Sequence, residues 1–234
     1  GRARAKCLFA GAVYRSRCRI ADQRAARLMV LPLERTGLAL LGHCPLEPGD
    51  GLPHEGGTVL LLGPDEPGFW QHFKASPEYS DRLPDPLDRW SRRVVGHLAT
   101  AAKGIAYYPF DGPPFRPFYT WAQRSGRAWP SPIGFLVHAD RGLFVSYRGA
   151  IWLPETHAPA HGTSPCDTCA APCMDACPVG AFNEGYDVEA CRRHIAAPQG
   201  ASCMTHGCAA RRACPVGTGL RAPAQSAFHM EAFR

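Results

Sequence analysis

Apolar residues recur at three- and four-residue steps between positions 86 and 103, which is the clearest helical pattern in the chain. Trp90, Val94 and Leu98 lie on one predicted face, and Gly104 follows as a stop signal. Helical composition also predicts helices over 21–33, 67–75 and 116–124. The first half of the sequence therefore contains at least four predicted helices.

Short apolar runs bounded by turn residues predict strands at 57–62 and 104–108. Two more apolar runs, 133–138 and 143–147, flank the turn sequence Ala139-Asp-Arg-Gly142 and predict a β-hairpin. The mixture indicates an α/β or α+β fold, and α+β is the one we expect.

The composition changes near residue 155, where the aliphatic stretches end and a cysteine-rich stretch follows. Between them, the proline- and glycine-containing segment 154–165 interrupts both regular structures. We therefore expect a first domain over 1–154, a linker over 155–165 and a second domain over 166–234.

The 234 residues are 45% hydrophobic, and their net charge is +6. Apolar runs fall far short of the ~20 residues of a membrane span, so an integral membrane protein is excluded. The basic N-terminal stretch is interrupted by arginine, unlike a secretory signal, and we expect a cytoplasmic protein. The arginine excess fits solvated surfaces, so neither nucleic acid nor a membrane is an expected partner.

Cysteine is the most informative residue type, because eight of the eleven cysteines fall between Cys166 and Cys214. Cys7, Cys18 and Cys44 are scattered and are expected to be free thiols. A reducing compartment keeps thiols from forming disulfides. A dense group of thiols in that setting predicts a metal centre.

The spacing favours two [4Fe–4S] clusters. The first run comprises Cys166, Cys169, Cys173 and Cys177, and the second comprises Cys191, Cys203, Cys208 and Cys214. Each run ends in Cys-Pro, and in two-cluster ferredoxins that cysteine ligates the other cluster. This rule predicts a first cysteine set of Cys166, Cys169, Cys173 and Cys214. It predicts a second cysteine set of Cys177, Cys191, Cys203 and Cys208.

Two departures keep zinc open as an alternative. Three residues rather than two separate Cys169 from Cys173, and the second run spreads over 24 residues. Two four-cysteine zinc sites would use the same thiolates. The four closely spaced cysteines and the paired Cys-Pro steps favour iron–sulfur clusters over zinc.

The cysteine segment resembles the cluster domain of epoxyqueuosine reductases and reductive dehalogenases. It has the same order: a run ending in Cys177-Pro178, an isolated Cys191, and a downstream group ending in Cys214-Pro215. In that family the isolated cysteine and the next two complete the second cluster. The family's C-terminal helical repeats, which help bind tRNA, have no counterpart here, so we do not expect a tRNA substrate.

A weaker resemblance extends over roughly residues 57–217. The sequence 108–114 resembles the family's segment with a proton-donating aspartate, which corresponds to Asp111. The sequence 137–149 resembles the hairpin of CblC-type cobalamin-processing proteins, whose glutathione-binding arginine corresponds to Arg148. Both groups share a nitroreductase-like fold that holds cobalamin without a lower protein ligand.

The resemblance implies a catalytic role for Asp111 and cobalamin contacts from four further residues: Tyr108, Arg124, His138 and Arg148. Each also has an ordinary structural interpretation as a turn, core or surface residue. We expect a nitroreductase-like domain followed by a ferredoxin-like domain.

The expected function is a reductase that reduces cobalamin, or removes its upper ligand, with electrons that the two [4Fe–4S] clusters relay from an upstream reductase, ferredoxin or flavodoxin. Three alternatives stay open: a plain dicluster electron carrier, a cobalamin-dependent reductase of an organic substrate, and a flavin in place of cobalamin.

Overall fold

The central strand of the protein is buried along its whole length. In the computed structural model, which describes residues 31–234, this strand is β2 (Thr58–Pro64). It lies between β1 (Leu38–Pro45) and β6 (Gly149–Leu153), and β3 (Ile105–Tyr107) pairs with the far edge of β6. All neighbours are antiparallel, so the sheet order is β1-β2-β6-β3.

Four helices occur between these strands: α1 (Phe69–Lys74), α2 (Pro77–Ser80), α3 (Pro86–Ala101) and α4 (Phe118–Arg124). Helix α4 packs against β1 and β2, and α2 packs against α3. Helix α3 packs against β6 and buries Trp90, Val95 and Leu98. The predicted helical pattern is confirmed there, because its apolar positions form one continuous face.

The predicted hairpin is wrong in its second strand. Strand β5 (Leu136–His138) pairs instead with β4 (Ala128–Pro130), in a separate two-stranded sheet. The predicted strand 143–147 is irregular. The Phe144 carbonyl accepts a hydrogen bond from Arg221 Nη2 at 3.0 Å, so a side chain rather than a strand satisfies it.

The cysteine-rich part is built from short helices. They are α5 (Val188–Ala196), α6 (Ala201–His206), α7 (Ala209–Arg212) and α8 (Pro223–Phe233), with a 3-10 turn at Pro198–Gly200. Another 3-10 turn, Pro48–Asp50, follows β1. Helix α8 packs against α6, and residues 33–234 form a single compact unit.

Helix α8 also returns to the first part of the chain. Its Phe228 ring lies 5.4 Å from Trp70 and 5.8 Å from Phe73, centroid to centroid. These rings form an aromatic core that joins α8 to α1.

The antiparallel sheets and intervening helices confirm the α+β class. The predicted helix 21–33 falls almost wholly outside the described residues, as do Cys7 and Cys18. The domain boundaries stay a prediction. Within residues 31–234, no helix has both the length and the apolar character that crossing a bilayer requires.

Candidate metal centre and ligand cavity

The first cysteine set is gathered in one place, although Cys214 is far from the others in sequence. Burial raises the pKa of Cys166, and the nearby thiols of Cys169 and Cys214 raise it further. Burial likewise raises the pKa of Cys173, with contributions from the other three. The mutual effects of the thiols require that they lie close enough to interact electrostatically. Cys166, Cys173 and Cys214 also pack in one apolar core.

A glycine brings Cys214 to the rest of its set. Gly142 has φ of +54°, and a Cβ there would lie 2.0 Å from Val216 O and 3.1 Å from Cys214 Sγ. Only glycine permits both this backbone conformation and this close approach. The loop after β5 therefore packs directly on the second Cys-Pro segment.

The second cysteine set lies at two adjoining apolar cores: Cys191 and Cys203 belong to one of them, and Cys177 and Cys208 pack against the other. Burial raises the pKa of Cys208, and Cys203 is one of its electrostatic neighbours. Tyr186 links Cys191 to Cys208: burial raises its phenol pKa, and both thiols raise it further. Cys177 shares an apolar core with Cys208, and its Sγ accepts a hydrogen bond from Ala181 N at 3.4 Å.

The thiol groups suit iron–sulfur clusters by donor chemistry, since each set supplies four cysteine sulfurs within a largely apolar surrounding. Across residues 31–234, no three His, Cys, Asp or Glu side chains meet the geometry of a site for a single metal ion. The assignment of ligands to each cluster stays a prediction.

A cavity of about 490 Å³, called here the main cavity, lies between α1, α3 and α8. Its volume falls within the ~300–1,000 Å³ typical of small-molecule sites. Aromatic rings supply its apolar lining: Phe69, Trp70 and Phe228. Arg148 and Arg221 supply positive charge.

The two arginines of the main cavity are largely buried. The Arg221 side chain is 8% exposed and lies 3.7 Å from Glu66 Oε1, which also accepts a hydrogen bond from Gln225. The Arg148 side chain is 14% exposed, and its Nη1 lies 3.5 Å from Asp88 Oδ1. Burial lowers the pKa of Arg221 to about 10, against the opposing effect of Glu66.

A second, smaller cavity of about 180 Å³, the side cavity, adjoins the main one. Arg221 and His229 line both cavities, whereas Cys191 and Cys208 line only the side cavity. Burial lowers the pKa of His229 to about 4, and three surrounding arginines lower it as well: Arg211, Arg221 and Arg148. Arg221 and His229 thus lie between the side cavity, which Cys191 and Cys208 line, and the main cavity.

Arg148 is the one predicted cobalamin contact that lines the main cavity. Asp111, Tyr108, Arg124 and His138 line neither cavity. Asp111 pairs with the Arg92 guanidinium, which also lies 5.1 Å from the centroid of the Tyr108 ring. Tyr108 donates a hydrogen bond to Arg92 O at 3.0 Å, so it anchors the turn that carries Asp111.

Arg124 and His138 each have a structural role. Arg124 binds both carboxylate oxygens of Asp50, at 3.0 and 2.6 Å, and Nη1 lies 2.7 Å from Glu47. His138 is 1% exposed and donates from Nε2 to Leu41 O at 2.7 Å. Its Nδ1 accepts hydrogen bonds from two backbone amides of the following turn, those of residues 140 and 141. Both residues therefore fix β1 to the elements beside it.

Three residues of this site were not predicted from the sequence: Arg211, Arg221 and His229. They are dispersed arginines and a histidine in a chain with 26 basic residues and ten histidines, so composition gives no signal for them. Only the return of α8 to α1 brings Arg221 and His229 beside Arg148.

The comparisons with known proteins give one partial relative. Epoxyqueuosine reductase of Synechococcus sp. (strain CC9605) is 32% identical over 72 residues, which is 31% of this chain and 22% of that protein. The aligned part thus covers about a fifth of the relative's length. No family model matches the chain, and no solved structure matches it.

Proposed function

We propose that this protein is an iron–sulfur oxidoreductase that carries two [4Fe–4S] clusters and passes electrons to a small molecule in the main cavity. The partial identity with a reductase and the eight clustered cysteines support this class. The observation that carries the proposal is the shared lining: Cys191 and Cys208 border the side cavity, which shares Arg221 and His229 with the main cavity.

The chain's own residues have distinct tasks in this proposal. The first cysteine set and the second would hold one cluster each, and the clusters would supply one-electron transfer. Phe69, Trp70 and Phe228 exclude water from one side of the main cavity. Arg148 and Arg221 favour negative charge that enters with a ligand or develops on reduction.

Anaerobic purification with elemental analysis tests the proposal. We expect about eight iron and eight sulfide per chain, together with broad visible absorption that bleaches on reduction. Zinc in place of iron in an oxygen-free preparation would overturn the redox assignment. Clusters with fast electron exchange and no small-molecule affinity would indicate the electron carrier instead.

Cobalamin reduction, or removal of its upper ligand, is the second candidate function. The resemblance to CblC-type proteins and the position of Arg148 in the cavity support it. The other predicted contacts do not fit a corrinoid, because Tyr108, Arg124 and His138 are engaged elsewhere. The main cavity also lies in the lower half of the range for small ligands, whereas a corrinoid is a large one.

Cobalt and flavin analysis of the same preparation separates these candidates. A spectral change of added cobalamin on mixing with reduced protein would support the cobalamin function. Its absence, with an organic molecule reduced instead, would favour a smaller acceptor. Asp111 pairs with Arg92 and lines neither cavity, so we expect Asp111→Asn to leave both the reduction and the iron content unchanged. Loss of the reduction with unchanged iron would instead support the predicted proton-donating role of Asp111.

We propose that the predicted first domain, residues 1–154, is nitroreductase-like and that the predicted second domain, residues 166–234, is ferredoxin-like. The four-stranded sheet with its helices supports the first, and the two cysteine sets support the second.

A further inference from the structure

The positive and negative side chains around the main cavity differ in how deeply they are buried. Arg148 and Arg221 are largely buried, with side chains 14% and 8% exposed. The acidic lining residues Asp85 and Glu231 are exposed. Asp88 lies between these extremes, at 35%. The interior of the cavity is therefore positive, and its solvent side is negative.

The buried arginines have donors that protein carboxylates do not satisfy. Arg221 Nε makes no hydrogen bond among residues 31–234 and lies 3.7 Å from Glu66. Arg148 donates from Nε to Tyr147 O at 3.2 Å, and its contact with Asp88 is long, at 3.5 Å. Within the described chain, no group accepts a hydrogen bond from Arg148 Nη2. A buried guanidinium with open donors is costly unless an anion completes it.

A third arginine strengthens this positive region. Arg211 lines the side cavity, and its guanidinium lies 4.7 Å from the centroid of the Phe135 ring. No carboxylate among residues 31–234 forms an ion pair with it. Near Arg148, Arg211 and Arg221, the acidic side chains are the buried Glu66 and the half-buried Asp88, so arginine exceeds carboxylate by one. An anionic cluster on the second cysteine set would balance Arg211, so the open donors of the main cavity are those of Arg148 and Arg221, whose contacts with Asp88 and Glu66 are long.

Aromatic rings complete the binding surface. Phe69, Trp70 and Phe228 line the main cavity, and Trp70 packs at 5.4 Å on Phe228. Phe69 and Trp70 are 2% and 5% exposed, so they form a closely packed apolar wall. An apolar body gains affinity against such a wall, while one or two polar groups fix its orientation. The combination selects a ligand with an apolar body and one charged group.

We propose that the main cavity is a binding site for an organic anion, whose carboxylate or phosphate contacts Arg148 and Arg221 and whose apolar body lies against the aromatic wall. This inference deepens the proposed function, because it names the chemical class of the electron acceptor. The contacts that carry it lie outside both cysteine sets.

The test measures the affinity of the cluster-containing protein for two matched pairs of probes by anaerobic equilibrium dialysis. Flavin mononucleotide and riboflavin differ by a phosphate, and 2-naphthoate and 2-naphthamide differ by a carboxylate in place of an amide. We expect the anion to bind at least about tenfold more tightly than its neutral partner in one pair or both. The pair that shows the difference identifies the charged group.

Three variants locate the effect. Arg148→Gln should abolish the preference for the anion, and Asp88→Asn should strengthen anion binding because it removes the competing carboxylate. Arg127→Gln is the matched control, since Arg127 pairs with Asp140 away from the cavity. If Arg148→Gln fails to fold, Asp88→Asn tests the proposal instead, because it should strengthen anion binding rather than weaken it.

Equal binding of both members of each pair, or binding of none, would overturn the proposal. So would an anion preference that persists in Arg148→Gln. Iron and sulfide are measured on the same samples, so the ligand class can fail while the iron–sulfur assignment stands. Loss of iron in every preparation would instead contradict the proposed function.

Discussion

The Arg211 guanidinium lies 4.7 Å from the centroid of the Phe135 ring, in a cavity that Cys191 and Cys208 also line. Burial lowers the pKa of Arg211, and the nearby Cys208 opposes that effect. Four thiolates around a [4Fe–4S] core give a cluster net negative charge. An anionic cluster beside Arg211 would offset the cost of burying this cation.

Arg211→Met should therefore make reduction of one cluster harder. Removing a positive charge disfavours the more negative, reduced state, and we expect its potential to fall by on the order of 50 mV, or about 1 kcal/mol per electron. A redox titration followed by electron paramagnetic resonance measures this. Arg193→Met is the control, because Arg193 is exposed and screened by solvent. Equal shifts in both variants would argue against the role of Arg211.

Double cysteine variants test the partition of the ligands into two sets. Cys166→Ala with Cys214→Ala removes two ligands of one set, so about four iron atoms per chain should remain. Cys166→Ala with Cys203→Ala damages both sets, and we expect almost no iron. Cys44→Ala should retain the full content, because Cys44 packs in the core of the sheet. Similar iron loss in the two double variants would contradict the pairing.

Arg124 should matter for stability rather than for ligand binding. Arg124→Gln leaves the Asp50 carboxylate, whose side chain is 4% exposed, without its bidentate partner. Breaking such a pair costs about 3 kcal/mol in the free energy of unfolding, measured by urea denaturation. Arg127→Gln, at a more exposed pair, should cost below about 1 kcal/mol. If Arg124→Gln weakened probe binding and left the stability unchanged, Arg124 would be a ligand contact, as the resemblance implied.

His138 predicts a pH dependence of stability. Burial lowers its pKa from 6.5, so the unfolded chain binds a proton near that pH that the folded chain does not. Stability should therefore fall as the pH drops from 7.5 to 5.5. His138→Gln lacks this proton, and its loss of stability over the same interval should be smaller by about 1 kcal/mol. Parallel pH profiles of the two proteins would show that His138 does not contribute.

The local elements could be predicted where the pattern reports burial directly. Helix α3 follows from the spacing of Trp90, Val94 and Leu98, and β2 follows from its continuous apolar run. Strand β1 was missed because its sequence, LALLGHCP, has no alternation and contains an irregularity in register between Leu40 and Gly42. The stretch 143–147 looked like a strand, yet Leu143 packs in the core that surrounds Cys173.

The ligand cavity could not be predicted, because its residues come from segments far apart in the chain. Arg148 was predicted from the resemblance to CblC-type proteins. Arg221 was not predicted, because the packing of Phe228 on Trp70 brings its segment to the cavity. The two cysteine sets stay a prediction, and spacing could supply that prediction because cluster chemistry requires a fixed number of thiols. Charged residues near a cavity have no comparable rule of spacing.

Helix α8 has a practical consequence for dissecting this protein. Its last turns border the main cavity through Phe228 and His229 and join the core around Cys203 through Met230. Ending the chain at Leu220 would expose the main cavity and the core around Cys203 to solvent. Oxygen and water would then reach the second cysteine set directly. Helix α8 thus shields both the main cavity and the core around Cys203. Separate expression of residues 33–154 would remove Phe228 and expose Trp70 to solvent.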